Sequence, residues 1–226
     1  MGTFFAMSAS WLGFVLAPQL QLGNQAREES KVGDLYPSMR PGIARQGEQI
    51  YRANGCFYCH SQQVRPKGYG TDFERGWGGR HGVVQSVDED YLYDEPAMLG
   101  TQRIGPDLAN VGLRIGTNEA PILQHIYDPR STMPGSLMPP YQYLFKKHKL
   151  GFNEHPSDDA LPADKNTPAG YEIIPTENAH ALVAYLMSLR SDAVLFETPP
   201  FPPPAKPKSA STNAPAAAAT TNSAAK

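Results

Sequence analysis

Cysteine is almost absent from the 226-residue sequence, which contains only two. Both lie in one short segment, as Cys56 and Cys59. Two cysteines cannot supply a four-cysteine zinc or iron–sulfur site, and they leave no disulfide elsewhere in the chain. An excess of one charge is also lacking, because the formal net charge is only −2. The charge balance therefore gives no indication of nucleic-acid binding.

Charged residues are missing from residues 1–26, and the first one is Arg27. Within this region, residues 3–22 supply 20 mostly apolar positions, and about 20 are needed to cross the hydrocarbon core of a bilayer. We therefore expect a membrane anchor at the start of the chain. A cleaved secretory signal is an alternative, although no basic N-terminal region is present. A second alternative is a buried helix of a soluble protein.

Proline and glycine are abundant, with 22 and 20 residues, or about a fifth of the chain. That share is below the roughly 25–30% typical of wholly disordered sequences. Many of the prolines lie near the C-terminus, so the middle of the chain is better suited to folding than the average indicates. We expect residues 198–226, which are rich in Ala, Pro, Ser and Thr, to be disordered.

The two cysteines belong to the sequence Cys-Phe-Tyr-Cys-His at residues 56–60. Cys-x-x-Cys-His is typical of the covalent attachment of a c-type haem. The two thiols can add to the two vinyl groups on one edge of a porphyrin, and His60 would then bind the iron from below. The motif therefore predicts a haem site at this point of the chain.

Other interpretations of the same residues stay open. A thioredoxin-like redox pair shares Cys-x-x-Cys but should lie between a strand and a helix, whereas residues 43–54 predict a polar helix before the motif. A zinc site would need two more ligands at short spacing, and the next histidine, His81, is isolated in a glycine-rich loop. A chance match is the third possibility.

The sequence Gly-Pro-Asp-Leu at residues 105–108 supports the haem interpretation. A ligating histidine usually donates its second ring N–H to a carbonyl or a carboxylate, which fixes the tautomer and raises the basicity of the ligand. In c-type cytochromes, Gly-Pro-x-Leu supplies that carbonyl from its proline. We expect Pro106 to hold His60 in this way and Leu108 to pack on the porphyrin.

Two methionines are candidates for the second axial ligand that an electron-transfer haem requires. Met133 and Met138 each precede a proline, and proline keeps the preceding residue out of the α-helical region. Met138 lies in the stiff sequence Met-Pro-Pro-Tyr and is the better candidate, with Met133 as the alternative.

Three helices are predicted around these segments. In the helix of residues 43–54, Gly47 and Tyr51 share one face, and glycine there allows close approach of a second helix. Thr176 is a suitable N-cap for a C-terminal helix with an apolar stripe, and we expect these two helices to cross. A short helix is expected at residues 119–127. Residues 88–94 predict an acidic, solvated surface and residues 146–170 a polar loop.

Taken in order, these segments resemble the membrane-anchored mono-haem subunit (subunit II) of cbb(3)-type cytochrome c oxidases. The resemblance covers about residues 1–197 and extends well beyond the generic haem motif. The matching blocks are CFYCHSQQVRP at 56–66, YLYDEP at 91–96, GTQRIGPDLANVG at 100–112, HIYDPRS at 125–131 and MPGSLMPPY at 133–141.

Patterns and resemblance together predict a mainly α-helical protein with a single N-terminal transmembrane helix. A loop-rich, cytochrome c-like domain and a disordered tail should follow. The predicted divisions are 1–26 for the transmembrane anchor, 27–41 for a linker, 42–197 for the mono-haem cytochrome c domain and 198–226 for the tail.

The resemblance implies one covalent haem c. Cys56 and Cys59 would form the thioethers, and His60 and Met138 would be the two axial ligands of the iron. Arg65 is a candidate for neutralising the haem propionates, as is Arg103, although either could equally be a surface charge.

The implied function is electron relay in aerobic respiration. Electrons would pass from a multi-haem c subunit or a donor cytochrome c, through this haem, to a haem–copper catalytic subunit that reduces oxygen. The haem domain would lie in the periplasm, held to the bacterial cytoplasmic (inner) membrane by a single span. Two alternatives are a free-standing, membrane-anchored cytochrome c shuttle, and a haem enzyme or gas sensor with an open sixth position.

Overall fold

The computed structural model describes residues 1–23, 26–29, 34–78, 85–162, 167–191, 193 and 195. Most of the regular structure in these residues is helical, as the sequence predicts. The expected disorder of residues 198–226 falls outside the described residues, and so does His81.

The regular elements of the described chain are short apart from three helices. The α-helices are α1 (Gly2–Trp11), α2 (Ala17–Leu22), α3 (Gly42–Ala53), α4 (Val111–Ile115), α5 (Ala120–Tyr127), α6 (Pro129–Thr132) and α7 (Glu177–Ser188). The strands are β1 (Glu28–Glu29), β2 (Leu35–Tyr36), β3 (Phe145–Lys149) and β4 (Tyr171–Pro175), paired antiparallel as β1–β2 and β3–β4.

The N-terminal apolar segment is a helix whose α1 and α2 parts are joined by a π-helical turn at Leu12–Leu16. Within the described chain, the 20 residues Gly2–Gln21 form the one helix that is long and apolar enough to cross a membrane. Large apolar side chains such as Phe5 and Phe14 are exposed along it. This helix can therefore anchor the protein in a bilayer.

The main helix–helix contact joins α3 to α7, as predicted. A Cβ atom on Gly47 would lie only 1.8 Å from the backbone oxygen of Ala181, so the two backbones touch at this point. One turn further along α3, the ring of Tyr51 packs against the ring of Tyr185 with their centroids 5.3 Å apart. Glycine permits the close approach, and the two tyrosines fill the space beside it.

Helix α7 begins where the sequence predicts it. The side chain of Thr176 accepts a hydrogen bond from the N–H of Ala179 (3.4 Å), which satisfies one of the free donors at the helix start. The apolar stripe of α7 is buried in the core, at Leu182, Val183 and Leu186.

Helices α5 and α6 are joined at a single residue, Asp128. The apolar face of α5 contributes Ile122, Leu123 and Ile126 to the same core. The chain leaves α5 at Asp128, whose side chain then caps α6 by accepting from the N–H of Arg130 (3.2 Å). The predicted end of the helix before Pro129 is therefore confirmed.

The expected polar loop at residues 146–170 is wrong at its start, because residues 146–149 belong to β3. Phe145 is buried and the four residues after it are exposed, so the lysine-rich sequence gives no apolar alternation to identify a strand. Pairing with β4 determines the structure instead. His148 lies opposite Glu172 in the register, and His148 Nδ1 lies 2.7 Å from the Glu172 carboxylate.

The acidic residues 88–94 are not simply solvated, as the sequence suggested. The hydroxyl of Tyr36 donates to the carboxylate of Asp90, and Arg40 pairs with both Asp94 and Glu48. Burial raises the pKa of Asp90 to about 6, although the bond from Tyr36 opposes this shift. These carboxylates fasten the segment around β2 to the rest of the protein.

The contact at Gly47 makes a direct stability prediction. Gly47→Ala should lower the free energy of unfolding by about 2–3 kcal/mol, because the added methyl group meets backbone that cannot rotate away. Gly42→Ala is the matched control on the same helix, since no atom lies within 4 Å of its added Cβ. Urea unfolding followed by circular dichroism measures both. Equal stability of the two variants would contradict the close approach.

Candidate haem-binding site

The cysteine motif begins where α3 ends. The amide of Asn54 donates to the carbonyl of Ile50 (2.7 Å), and Gly55 then adopts a left-handed conformation, with φ of 68°, that turns the chain. A 3₁₀ turn, Cys56–Tyr58, follows. Both cysteines are free and partly buried, and they lie at the two ends of this one turn.

His60 is oriented by a single hydrogen bond. Its Nδ1–H donates to the carbonyl oxygen of Pro106 at 2.8 Å, because a carbonyl can only accept. The other ring nitrogen, Nε2, is therefore left with its lone pair available for a ligand. Burial lowers the pKa of His60, while the bond to Pro106 opposes that shift. The imidazole is thus neutral near pH 7, which is the form that binds a metal.

Backbone hydrogen bonds hold the segment around Pro106 alongside the motif. The N–H of Gly105 donates to the carbonyl of Cys59 (2.9 Å), and the N–H of Leu108 donates to the carbonyl of Ser61 (2.7 Å). These two bonds flank the bond from His60 to Pro106. The position of the proline carbonyl is consequently set by backbone on both sides.

Asp107 is a buried carboxylate that the sequence did not single out. It is fully buried and accepts from the hydroxyl of Ser61 (2.6 Å) and from the N–H groups of Gln63 (2.8 Å) and Ala109 (2.9 Å). A charged group without such donors would be costly to bury. The sequence offered one indication of this role, because Asp107 directly follows Pro106. A side chain next to Pro106 is well placed to hold the proline carbonyl that His60 contacts.

Arg65 and Arg103 are brought together by Asp72. The Asp72 side chain is 1% exposed, and its carboxylate lies 2.8 Å from Nη2 of Arg65 and 2.6 Å from Nη1 of Arg103. Burial works against ionisation, but the two guanidinium groups hold the pKa of Asp72 well below its usual range. One carboxylate thus serves two arginines, and contact of either arginine with haem propionates stays a prediction.

The two candidate methionines differ in burial. Met138 is partly buried and packs against the main core, whereas Met133 is 61% exposed. Beyond Met138, the N–H of Tyr141 donates to the carbonyl of Ile126 on α5 (3.0 Å), which fixes the end of the methionine segment. Burial therefore favours Met138.

The chemistry of these groups fits a c-type haem. Two thiols on one turn, an imidazole with a free Nε2 and a partly buried thioether form the donor set that such a haem requires. Burial raises the pKa of Cys56 to about 11, with a bond to Tyr141 opposing the shift, so its thiol is protonated near neutral pH. Cys56 and Met138 pack against the same buried cluster.

Gly105 leaves no room for a side chain beside the histidine. An added Cβ would lie 2.3 Å from Cε1 of His60, so Gly105→Ala should push the ring away from Pro106 and lower the free energy of unfolding by about 1–3 kcal/mol. Nitrogen NMR of the imidazole should show loss of the single Nδ1–H tautomer. Gly42→Ala again serves as the control, and an unchanged His60 signal in Gly105→Ala would refute the prediction.

Comparison with known families agrees with the prediction from the sequence. Residues 14–180 match the family described as cytochrome c oxidase, mono-haem subunit/FixO. The matched region is about three quarters of the chain. No individually curated protein matches. The chain therefore belongs to the FixO family of mono-haem cytochrome c oxidase subunits, which implies one haem, a role in electron transfer and a catalytic oxidase subunit as its partner.

Proposed function

We propose that the protein is the electron-relay subunit of a cbb(3)-type oxidase, with a haem c attached covalently through Cys56 and Cys59. Nε2 of His60 and the sulfur of Met138 would bind its iron. The observation that carries this proposal is the 2.8 Å hydrogen bond from His60 to Pro106, directly after the cysteine pair. That bond presents Nε2 as a ligand in one fixed orientation.

The protein groups around the proposed haem favour reversible electron transfer. Donation from Nδ1–H to the Pro106 carbonyl makes Nε2 of His60 a stronger base towards iron. The thioether of Met138 would also bind the iron, raise its reduction potential and exclude other ligands. The site would therefore be closed to substrate, and the bound haem would supply a one-electron couple.

Two buried carboxylates hold the backbone and the charged side chains around this site in place. Asp107 holds the backbone on the His60 side through three hydrogen bonds. Asp72 holds Arg65 and Arg103, and Nη2 of Arg103 also lies 3.8 Å from the carboxylate of Asp107. We propose that the guanidinium groups of these arginines also lie at the haem propionates and offset part of their negative charge.

The proposed arrangement places the haem domain of residues 42–197 outside the cytoplasmic membrane, because c-type haems are attached there. Residues 1–26 are the retained anchor and residues 27–41 the linker. The crossing of α3 and α7 next to the cysteine motif supports a cytochrome c-like fold for this domain. Electrons reach it from a multi-haem c subunit or a donor cytochrome c.

Membership of an oxidase can be tested by purification. Native membranes are solubilised in a mild detergent, and the complex is captured through an affinity tag on this chain. Haem b and copper should co-purify in a constant ratio to the haem c of this subunit. Recovery of haem c alone, at several detergent concentrations, would contradict the proposed relay within an oxidase.

The axial methionine can be tested with two matched substitutions. Met138→Leu keeps the volume but removes the sulfur, so the oxidised protein should lose the methionine–iron charge-transfer band and its reduction potential should fall. Met133→Leu should retain both, because the Met133 side chain is largely exposed. The opposite pattern would assign Met133, and no effect of either would rule out methionine ligation.

A further inference from the structure

Two tyrosines follow the methionine segment, residues 133–140, and contact the start of the cysteine motif. The ring of Tyr143 meets the ring of Tyr141 edge to face, with their centroids 6.0 Å apart. The hydroxyl of Tyr143 donates to the side-chain oxygen of Asn54, two residues before Cys56. We call Tyr141 and Tyr143 the tyrosine clasp, because they join the methionine segment to the end of α3.

The side chain of Asn54 is held in place for this contact. Its amide nitrogen donates to the carbonyl of Ile50 (2.7 Å), so its amide oxygen is left to accept from Tyr143. Tyr143 is largely exposed, so this bond fastens a surface side chain to α3. Because α3 packs closely against α7 at Gly47, the clasp is fixed at this end to the core of the protein.

Tyr141 reaches the attachment cysteine itself. Its hydroxyl is hydrogen-bonded to the sulfur of Cys56, and both side chains pack against the main core. Burial raises the pKa of Tyr141, and its contact with Cys56 raises it further, so the hydroxyl keeps its hydrogen near pH 7. A thioether sulfur has lone pairs but no hydrogen, so Tyr141 would be the donor and Cys56 the acceptor once a haem is attached.

The two residues between Tyr141 and Met138 are both prolines, which makes this connection stiff. Pro139 and Pro140 each restrict φ to about −65°. On the far side of the prolines, the N–H of Tyr141 donates to the carbonyl of Ile126 (3.0 Å). The position of Met138 is therefore determined largely by the position of Tyr141.

We propose that Tyr141 is a positioning residue for the sixth ligand, because its hydroxyl donates to the thioether sulfur of Cys56 and so holds Met138 in place to bind the iron. The inference rests on the proposed attachment at Cys56 and the proposed ligation by Met138. One hydrogen bond then connects the attachment residue to a ligand about 80 residues further along the chain. Loss of the hydroxyl should loosen Met138 without removing it from the iron.

Added imidazole tests this role, because it competes with the sixth ligand of the oxidised, haem-loaded protein. Tyr141→Phe keeps the ring and its contact with Tyr143 but removes the hydroxyl. Imidazole should therefore bind about threefold more tightly, the effect of one weak hydrogen bond. The methionine–iron band should persist when imidazole is absent. Tyr171→Phe is the matched control on β4, where the ring contacts Lys147, and it should leave imidazole binding unchanged.

A vibrational measurement identifies the acceptor of the hydrogen bond. The C–S stretch of the Cys56 thioether, followed by resonance Raman spectroscopy, should shift in Tyr141→Phe because the sulfur has lost its donor. Tyr143→Phe keeps the Tyr141 hydroxyl and should leave this stretch unchanged. If Tyr141→Phe fails to incorporate haem, the wild-type protein in D₂O decides the matter. Its C–S stretch should shift as the hydroxyl exchanges, and an unchanged stretch would overturn the proposal.

The outcomes separate this inference from the proposed ligation. Wild-type imidazole affinity in Tyr141→Phe, with the methionine–iron band present, overturns the role of Tyr141 and leaves Met138 as a ligand. Equal shifts of the C–S stretch in Tyr141→Phe and Tyr143→Phe overturn the assignment of Tyr141 as the donor. Wild-type imidazole affinity in Met138→Leu shows that imidazole does not displace Met138, which overturns both the ligation and the inference.

Discussion

The hydrogen bonds to the buried carboxylate of Asp107 are the interactions on which the rest of the site depends. A charge removed from water is tolerated only with full hydrogen bonding, and Ser61, Gln63 and Ala109 provide three donors. Ser61 and Gln63 follow the cysteine motif, and Ala109 belongs to the segment that contains Pro106. Hydrogen bonding to the one carboxylate therefore fixes these two segments against each other. The proline carbonyl that orients His60 is placed as a result of that constraint.

The same device recurs away from the motif. Asp72 joins Arg65 to Arg103, and Asp90 and Asp94 join the segment around β2 to the core. Each carboxylate connects parts of the chain that are far apart in sequence or lie in irregular segments. Where the chain has little helix or sheet, ion pairs and hydrogen bonds of this kind replace the regular backbone hydrogen bonds that would otherwise order it.

Features with a local pattern could be predicted from the sequence, and those that depend on distant partners could not. Gly47 was informative because glycine within a helical face allows only a few interpretations, and Thr176 because a cap is defined by its own neighbours. The burial of Asp107 and Asp72 depends on donors in other segments. Strand β3 carries lysines on exposed positions, so only its pairing with β4 identifies it.

The contact between Gly47 and Ala181 joins positions about 130 residues apart in the chain. During synthesis, the segment with both cysteines emerges long before α7 exists, so the core cannot close around it early. The two thiols therefore remain accessible until α7 has been made and has folded against α3. Chain order alone thus separates the time at which the thiols can be reached from the time of final folding.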